Sequence, residues 1–184
     1  NIKDCIEHIK QNNPKEIIVI DANSSDKTKE ITKECNVRLI TTKRNGLAYQ
    51  RQIGVEKASG DFILFVDADD RLSGDCIAVL QKELLENNYD AIQAMTLSYE
   101  PKTYAQQAMD FNLKHFISRP GVTNMVGRPA LYRSSVFNSI QFDTQFTFGS
   151  EDTDLSAQLE LAGFKQGIGL GVSKRIHLET FRDC

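Results

Sequence analysis

The amino-acid sequence predicts an α/β protein, a mostly parallel sheet with helices on both faces. Two observations carry that expectation. Short apolar runs of strand length, such as "EIIVID" (16–21) and "FILFV" (62–66), recur along the first half, the mark of strands buried on both faces. Between them lie stretches whose apolar residues repeat at helical spacing, and strand–helix–strand succession of this kind means parallel pairing.

The chain opens on "NIKDCIEHIK", which reads as a helix already under way. After the strand ending at Asp21, "ANSSD" supplies turn residues, and Asp26 is a candidate N-cap for a helix carrying Ile31 and Cys35. "VRLITT" (37–42) is the next strand. Leu47, Arg51, Val55 and Ala58 then share one helical face, with Gly60 as the expected C-terminal cap. A third strand, "FILFV", is followed by a helix over 73–88 with Ile77, Leu80 and Leu84 on one side, and "AIQAMTLS" (91–98) is a fourth strand. The second half is less regular. A helix over 104–118 places Ala108, Phe111 and His115 on one face, and "RPGVTNMVGRP" is a loop by its Gly and Pro content. "ALYRSSVF" returns to the sheet, and a last helix runs from Ser150 to a Gly163 cap.

With 184 residues, 40% of them apolar and 26% charged, the chain has the length and composition of one folded domain over 1–184. A net charge of −3, from 22 basic and 25 acidic side chains, argues against a nucleic-acid partner, which selects a basic excess. No apolar run approaches the roughly 20 residues that span a bilayer, and the polar opening is not a signal peptide. Cys5, Cys35, Cys76 and Cys184 show neither CxxC pairing nor zinc spacing, which fits reduced thiols and a cytoplasmic setting.

In open α/β sheets, ligands bind beyond the carboxyl ends of the strands. Asp21 and the group Asp67, Asp69 and Asp70 both lie at such ends, hence on one rim. Asp67 and Asp69, two apart on an extended segment, project to the same side. They form a hard oxygen pair of the kind Mg²⁺ or Mn²⁺ takes, with phosphate oxygens completing the shell. Turn preference alone accounts for Asp70. Glu151, Asp152 and Asp154 open the last helix, where acids complement the dipole by roughly 0.3–1 kcal/mol each; the same position lets a carboxylate act as general base. Arg44 and Arg51 flank the helix leading to the acid-ended strand, where a guanidinium meets a phosphate or simply stands in solvent. His177, two residues from both Arg175 and Glu179, is a candidate metal ligand, whereas His8 and His115 have no comparable neighbours. Gly167, Gly169 and Gly171 in "QGIGLG" lack the strand–turn–helix context of a dinucleotide loop and are read as strand or turn glycines.

Taken in order, these pieces resemble the family 2 glycosyltransferases of the GT-A fold. "VIDANSSDKTKEI" is similar to that family's D-x-x-S-x-D-x-T segment, and "NGLAYQRQIGVEKASGDFILFVDADD" to its stretch leading into the DxD motif. "FDTQFTFGSEDTDLSAQLELAG" is similar to its F-D…E-D-x-D-L segment. The resemblance covers roughly residues 1–180. It implies a metal-dependent, inverting transfer of a sugar from a nucleoside-diphosphate sugar, a UDP-sugar first, to an acceptor hydroxyl. Asp21 would then meet the base of the donor, Asp67 its ribose or sugar side, and Asp69 the metal on the diphosphate. Asp152 would take the acceptor's proton with Glu151 in support, and His177 would contact the metal or the diphosphate. Residues 1–98 would bind the nucleotide and 99–184 the acceptor, a glycan, lipid or small molecule, with peripheral membrane association and oligomers left open.

The sequence departs from the family pattern at Ala22, where a second acid is common. It also begins inside the family's first helix, after a strand that is central in the sheet. A fragment whose sheet lacks a middle member is therefore the expectation. Two other readings share some of these features. A nucleotidyltransferase would carry a Gly- and Lys-bearing loop after its first strand, and a phosphoacceptor receiver module would leave the "SEDTDL" helix without a use.

Overall fold

The β-branched run ending at Asp21 extends as β1 (Ile18–Asp21) and pairs in parallel with β2 (Arg38–Thr41), Ile18 opposite Arg38 and Asp21 opposite Thr41. The computed structural model describes residues 2–146 and 149–176. Helix α1 (Ile2–Lys10) precedes β1, and α2 (Thr28–Glu34) joins the two strands. The carboxylate of Asp26 accepts the Thr28 N–H at 2.9 Å, but the N-cap position falls one residue later, on Lys27, so Asp26 closes the turn before the helix instead of capping it. Helix α3 (Leu47–Lys57) buries Ala48 and Arg51 and leaves Leu47 exposed, a face turned by one residue from the expected one. It ends with Ala58 extended, without the left-handed cap expected at Gly60.

The larger sheet runs β3 (Phe62–Phe65), β7 (Ala130–Arg133), β5 (Ala91–Ser98), β8 (Gln166–Arg175) and β4 (Asp70–Leu72), with β6 (Gly121–Thr123) also on β8. Parallel pairing holds for β1–β2 and β5–β8, while β7 enters between β3 and β5 antiparallel to both. The α/β class stands, and the sheet is mixed rather than mostly parallel. Among the described residues β1 and β3 share no ladder. Both strands are therefore half-buried rather than buried on both faces. Helix α3 spans them: a Cβ built on Gly54 would stand 3.8 Å from Ile20 Cγ1 in β1 and 3.9 Å from Phe65 Cε1 in β3.

Helices cover both faces, as expected. On one, α4 (Cys76–Glu86) sets Cys76, Leu80 and Leu84 against Ile92 and Leu131, with Ile9 of α1 alongside. On the other, α3 and α6 (Glu151–Leu161) close over Ala91, Tyr132 and Phe142. There Phe65 meets Tyr132 and Phe142 edge-on at 5.7 and 5.4 Å, the offset geometry that aromatic quadrupoles favour. Gly163, at φ 79°, ends α6 in the left-handed conformation expected of it. The helix expected over 104–118 is α5 (Tyr104–Asn112), continued by a π-helical turn over Leu113–Ile117.

The three glycines of "QGIGLG" lie in β8, where α4 and its exit cross the strand too closely for side chains. A Cβ on Gly167 would fall 2.6 Å from the Tyr89 ring. One on Gly171 would fall 2.7 Å from Leu80 Cγ and 2.8 Å from the Cys76 carbonyl oxygen. The second neighbour is backbone at a helix start and has nowhere to retreat. Gly171→Ala is expected to destabilise the fold by about 1–3 kcal/mol through overpacking, measured as the shift in urea midpoint. An unchanged midpoint would mean that α4 does not press on β8 there.

Candidate active site

Beyond Phe65 the chain leaves β3 and doubles back into β4, and the acids of "DADD" shape that turn. The Asp70 N–H donates to the Asp67 carbonyl at 3.0 Å, and the Asp67 N–H donates to Asp70 Oδ2 at 3.3 Å. Asp70 is fully buried, and Arg175 at the end of β8 donates to both its oxygens at 3.0 Å. Burial pushes its carboxyl above the ordinary range, and the Arg175 hydrogen bonds oppose that shift without cancelling it. Asp70 is thus a structural acid that holds the turn and orients Arg175. Asp67 and Asp69 face outward, their side chains 31% and 44% exposed.

Helix α6 brings Glu151 and Asp152 to the same rim. Glu151 is buried and ion-paired to two guanidinium groups, Arg51 of α3 and Arg128 of the loop before β7, the latter at 2.6 Å. Asp152, one residue on, keeps a quarter of its side chain exposed and receives Arg128 at 2.7 Å and Arg51 at 3.1 Å. The same two arginines reach Asp67, Arg128 at 2.9 Å and Arg51 at 3.4 Å. Two cations therefore tie the end of β3 to the start of α6. Arg175 adds a third, 3.7 Å from Asp67 and 3.8 Å from Asp69.

The two neighbouring acids titrate in opposite directions. Burial is the largest influence on Glu151 and works upward, but the Arg128 and Arg51 bonds outweigh it and hold the carboxyl below the ordinary range. Burial also leads for Asp152, and there the arginines do not cancel it; Glu151 and Asp67 add repulsion, so the carboxyl lies above the ordinary range. A raised carboxyl pKa beside a permanently charged partner is the environment of a general base.

The other expected residues are less closely joined. Asp21 is buried at the end of β1, where both carboxylate oxygens accept the Ser24 N–H at 3.1–3.2 Å and Lys29 stands 4.0 Å away. Arg44 is exposed, stacked on Tyr49 at 5.2 Å and donating to the Thr144 carbonyl at 2.5 Å, outside the acid cluster. His177 lies outside the described residues. The sequence carries no signal that singles out Arg128 or Arg175 as part of the site. Arg175 stands two residues before His177, and Arg128 is one basic residue in a loop, with no spacing to distinguish it from Arg119.

The donor set fits a hard divalent cation. Oxygens of Asp67, Asp69 and Asp70 lie within 4.8 Å of one another with no sulfur or imidazole among them. Asp70 is buried against Arg175, whereas Asp67, though ion-paired, and Asp69 face outward and form the accessible pair. Cys5 and Cys76 are poor ligands, since burial pushes both thiols up to about 12.

The model of glycosyl transferase family 2 matches residues 1–145. The chain belongs to that family. An uncharacterized glycosyltransferase of Haemophilus influenzae is 40% identical over 79 residues, which is 40% of this chain and 32% of that protein. The teichoic acid poly(glycerol phosphate) polymerase of Staphylococcus epidermidis is 27% identical over 154 residues, 72% of this chain and 21% of its own. The chain thus spans a third or less of these two relatives. Among solved structures, S. aureus TarS 1–349 in complex with UDP-GlcNAc superposes with a TM-score of 0.74 at 18% identity, covering 97% of this chain and 55% of that one. GalNAc-T7 with UDP, GalNAc and Mn²⁺ gives 0.73 at 17% identity, covering 95% and 40%. These likenesses bear out the GT-A fold, and family membership leaves the nucleotidyltransferase and receiver readings without support.

Removing one cation from the cluster leaves a buried carboxylate under-compensated. Arg51→Met is expected to cost about 3 kcal/mol in urea unfolding at neutral pH. Adding Glu151→Gln should recover part of it, with a coupling of about 1–3 kcal/mol. Additive costs in the double-mutant cycle would mean that the pair contributes nothing to the fold.

Proposed function

We propose that this chain is the nucleotide-sugar-binding and catalytic part of an inverting glycosyltransferase, using a UDP-sugar and Mn²⁺ or Mg²⁺. The observation that carries the proposal is Asp152. It is a part-exposed carboxylate of raised pKa, fixed by two arginines that also hold Asp67, one of the two outward metal-competent acids.

Asp69 and Asp67 hold the cation, with His177 added from the family pattern. Bound there, the cation supplies positive charge to the diphosphate that leaves. Asp152 takes the acceptor's hydroxyl proton on its carboxylate as the oxygen attacks the anomeric carbon from the side opposite the leaving group, which inverts that carbon. Glu151 is too buried to reach an acceptor; it fixes Arg51 and Arg128, which orient Asp152. Arg51, held among three acids, acts as a positioning residue rather than a phosphate contact. Arg128 and Arg175 border the outward pair and meet growing negative charge without moving far. Asp21, at the end of β1, closes the base side of the donor site, and Arg44 stands at its outer edge.

A thermal-shift panel of UDP, GDP, CDP and dTDP, each with and without Mn²⁺, tests the donor class. A ligand at ~100 times its Kd raises stability by about 2.7 kcal/mol. UDP with Mn²⁺ is expected to shift the midpoint, and Asp69→Ala to abolish that shift. Asp152→Asn should keep the shift and lose at least about a hundredfold in transfer, the usual worth of a general base. Full turnover by Asp152→Asn would overturn the assignment.

The pH dependence follows with a definite sign. The base acts only when deprotonated, so kcat/KM is retained above the folded pKa of Asp152 and lost as pH falls through it. The acid limb of the profile is therefore expected above the ordinary carboxylate value of 3.8. A limb at or below that value would exclude Asp152 as the group observed.

A further inference from the structure

Arg128 joins two parts of the rim that sugar transfer must keep apart. Its Nε donates to Asp67 Oδ2 at 2.9 Å, on the side of the outward acid pair. Its Nη1 donates to Asp152 Oδ1 at 2.7 Å, on the side of the base. One planar guanidinium fork therefore spans the whole way from the cation seat to the base. An acceptor oxygen and the anomeric carbon it attacks have to lie along that same line. Arg128 occupies it.

The surroundings of Arg128 define how it moves. Its backbone is pinned, because Arg175 donates to its carbonyl at 3.1 Å and the neighbouring Gly127 N–H donates to Gln93 Oε1 at 2.5 Å. Pro129, on the other side, is fully buried. Rotation of the side chain is thus the motion available, not opening of the loop. The acids it would leave each keep a second cation, since Arg51 also reaches Asp67, Glu151 and Asp152. Arg51 itself is the deeper of the two, its side chain 9% exposed against 18% for Arg128. Arg175 is anchored differently, through both oxygens of buried Asp70. Arg128 is therefore the cation of the cluster best able to change partners.

We infer that Arg128 is a latch on this site, competing with the divalent cation for Asp67. A guanidinium and a metal ion on the same carboxylate oxygen repel each other. Arg128 gives up Asp67 when the cation takes it, and its fork then turns off the line between Asp67 and Asp152. The acceptor's path to the base opens only once the seat of the diphosphate is filled. The released guanidinium stays beside that seat, where negative charge grows as the diphosphate leaves. The latch rests on the cation and base assignments of the transferase reading.

Binding of Mn²⁺ alone, followed by loss of the free ion's electron paramagnetic resonance signal, tests it. Arg128→Gln is expected to bind Mn²⁺ about tenfold more tightly than the native protein, an ordinary size for coupled sites. Asp69→Ala should abolish binding with or without that change. Arg128→Lys keeps the charge and loses the fork, so it should bind more tightly as well. A gain confined to Arg128→Gln would reduce Arg128 to a nearby charge and overturn the latch. The native protein gives a second readout that does not depend on a variant folding. On titration with Mg²⁺, the magnetic resonance signal of the Arg128 Nε–H should move toward that of a solvated arginine, while that of Arg175 stays. An unmoved Arg128 signal at saturating Mg²⁺ would overturn the latch. So would equal Mn²⁺ affinity in the native, Gln and Lys proteins with binding still lost in Asp69→Ala, and the transferase reading would then stand. Mn²⁺ binding that is absent from all of them, or indifferent to Asp69→Ala, would overturn the cation seat and the latch with it.

Discussion

Five carboxylates converge on one rim of this fold, and the compensation of their charge by three arginines is the constraint on which the rest depends. Two like charges 4 Å apart repel by about 4 kcal/mol at an effective dielectric near 20. Asp67, Asp69, Asp70, Glu151 and Asp152 stand together only because Arg51, Arg128 and Arg175 stand among them. Each cation comes from a different element: the middle of α3, the loop before β7, and the end of β8. Folding the chain without all three would leave buried acids with no partner. The cluster therefore fixes where α3, α6 and the β7 loop lie relative to the end of β3.

That arrangement divides labour between adjacent residues of the same type. Glu151 and Asp152 differ by one position on α6, which turns the first into the cluster and the second toward solvent. Asp69 and Asp70 repeat the division across the β3–β4 turn, outward and buried respectively. In each pair the buried acid is enclosed with arginine, while the outward acid touches the same cations and keeps part of its carboxylate open to solvent. The buried member is held in place by charge; the outer one is the member that a ligand can reach.

Much of this is legible in the sequence. Strand-length apolar runs ended on acids, and helical spacing separated them, so β1, β2, β3, β5 and the helices between them were expected within a few residues. The outward acids Asp67, Asp69 and Asp152 were singled out because a carboxylate after an apolar run, or at a helix start, is a local signal. What escaped was non-local. Nothing in "ALYR" says that it enters between β3 and β5 antiparallel to both, since a four-residue strand carries no record of its neighbours. Arg128 pairs with Asp67 across 61 residues, and Arg51 with Glu151 across 100. A lone basic residue in a loop has no period to betray such a partner.

The face expected for α5 shows the limit of periodicity in another way. Ala108, Phe111 and His115 do share a side of the helix, and spacing assigns that side to a core. The helix is instead held to β5 by Asp110 and Ser118, whose bonds satisfy the backbone of Ser98 and Thr96 on the strand. Once those polar groups face inward, the rings face out, since both cannot occupy the same arc. Hydrophobic period locates an apolar stripe but does not say which solvent it meets.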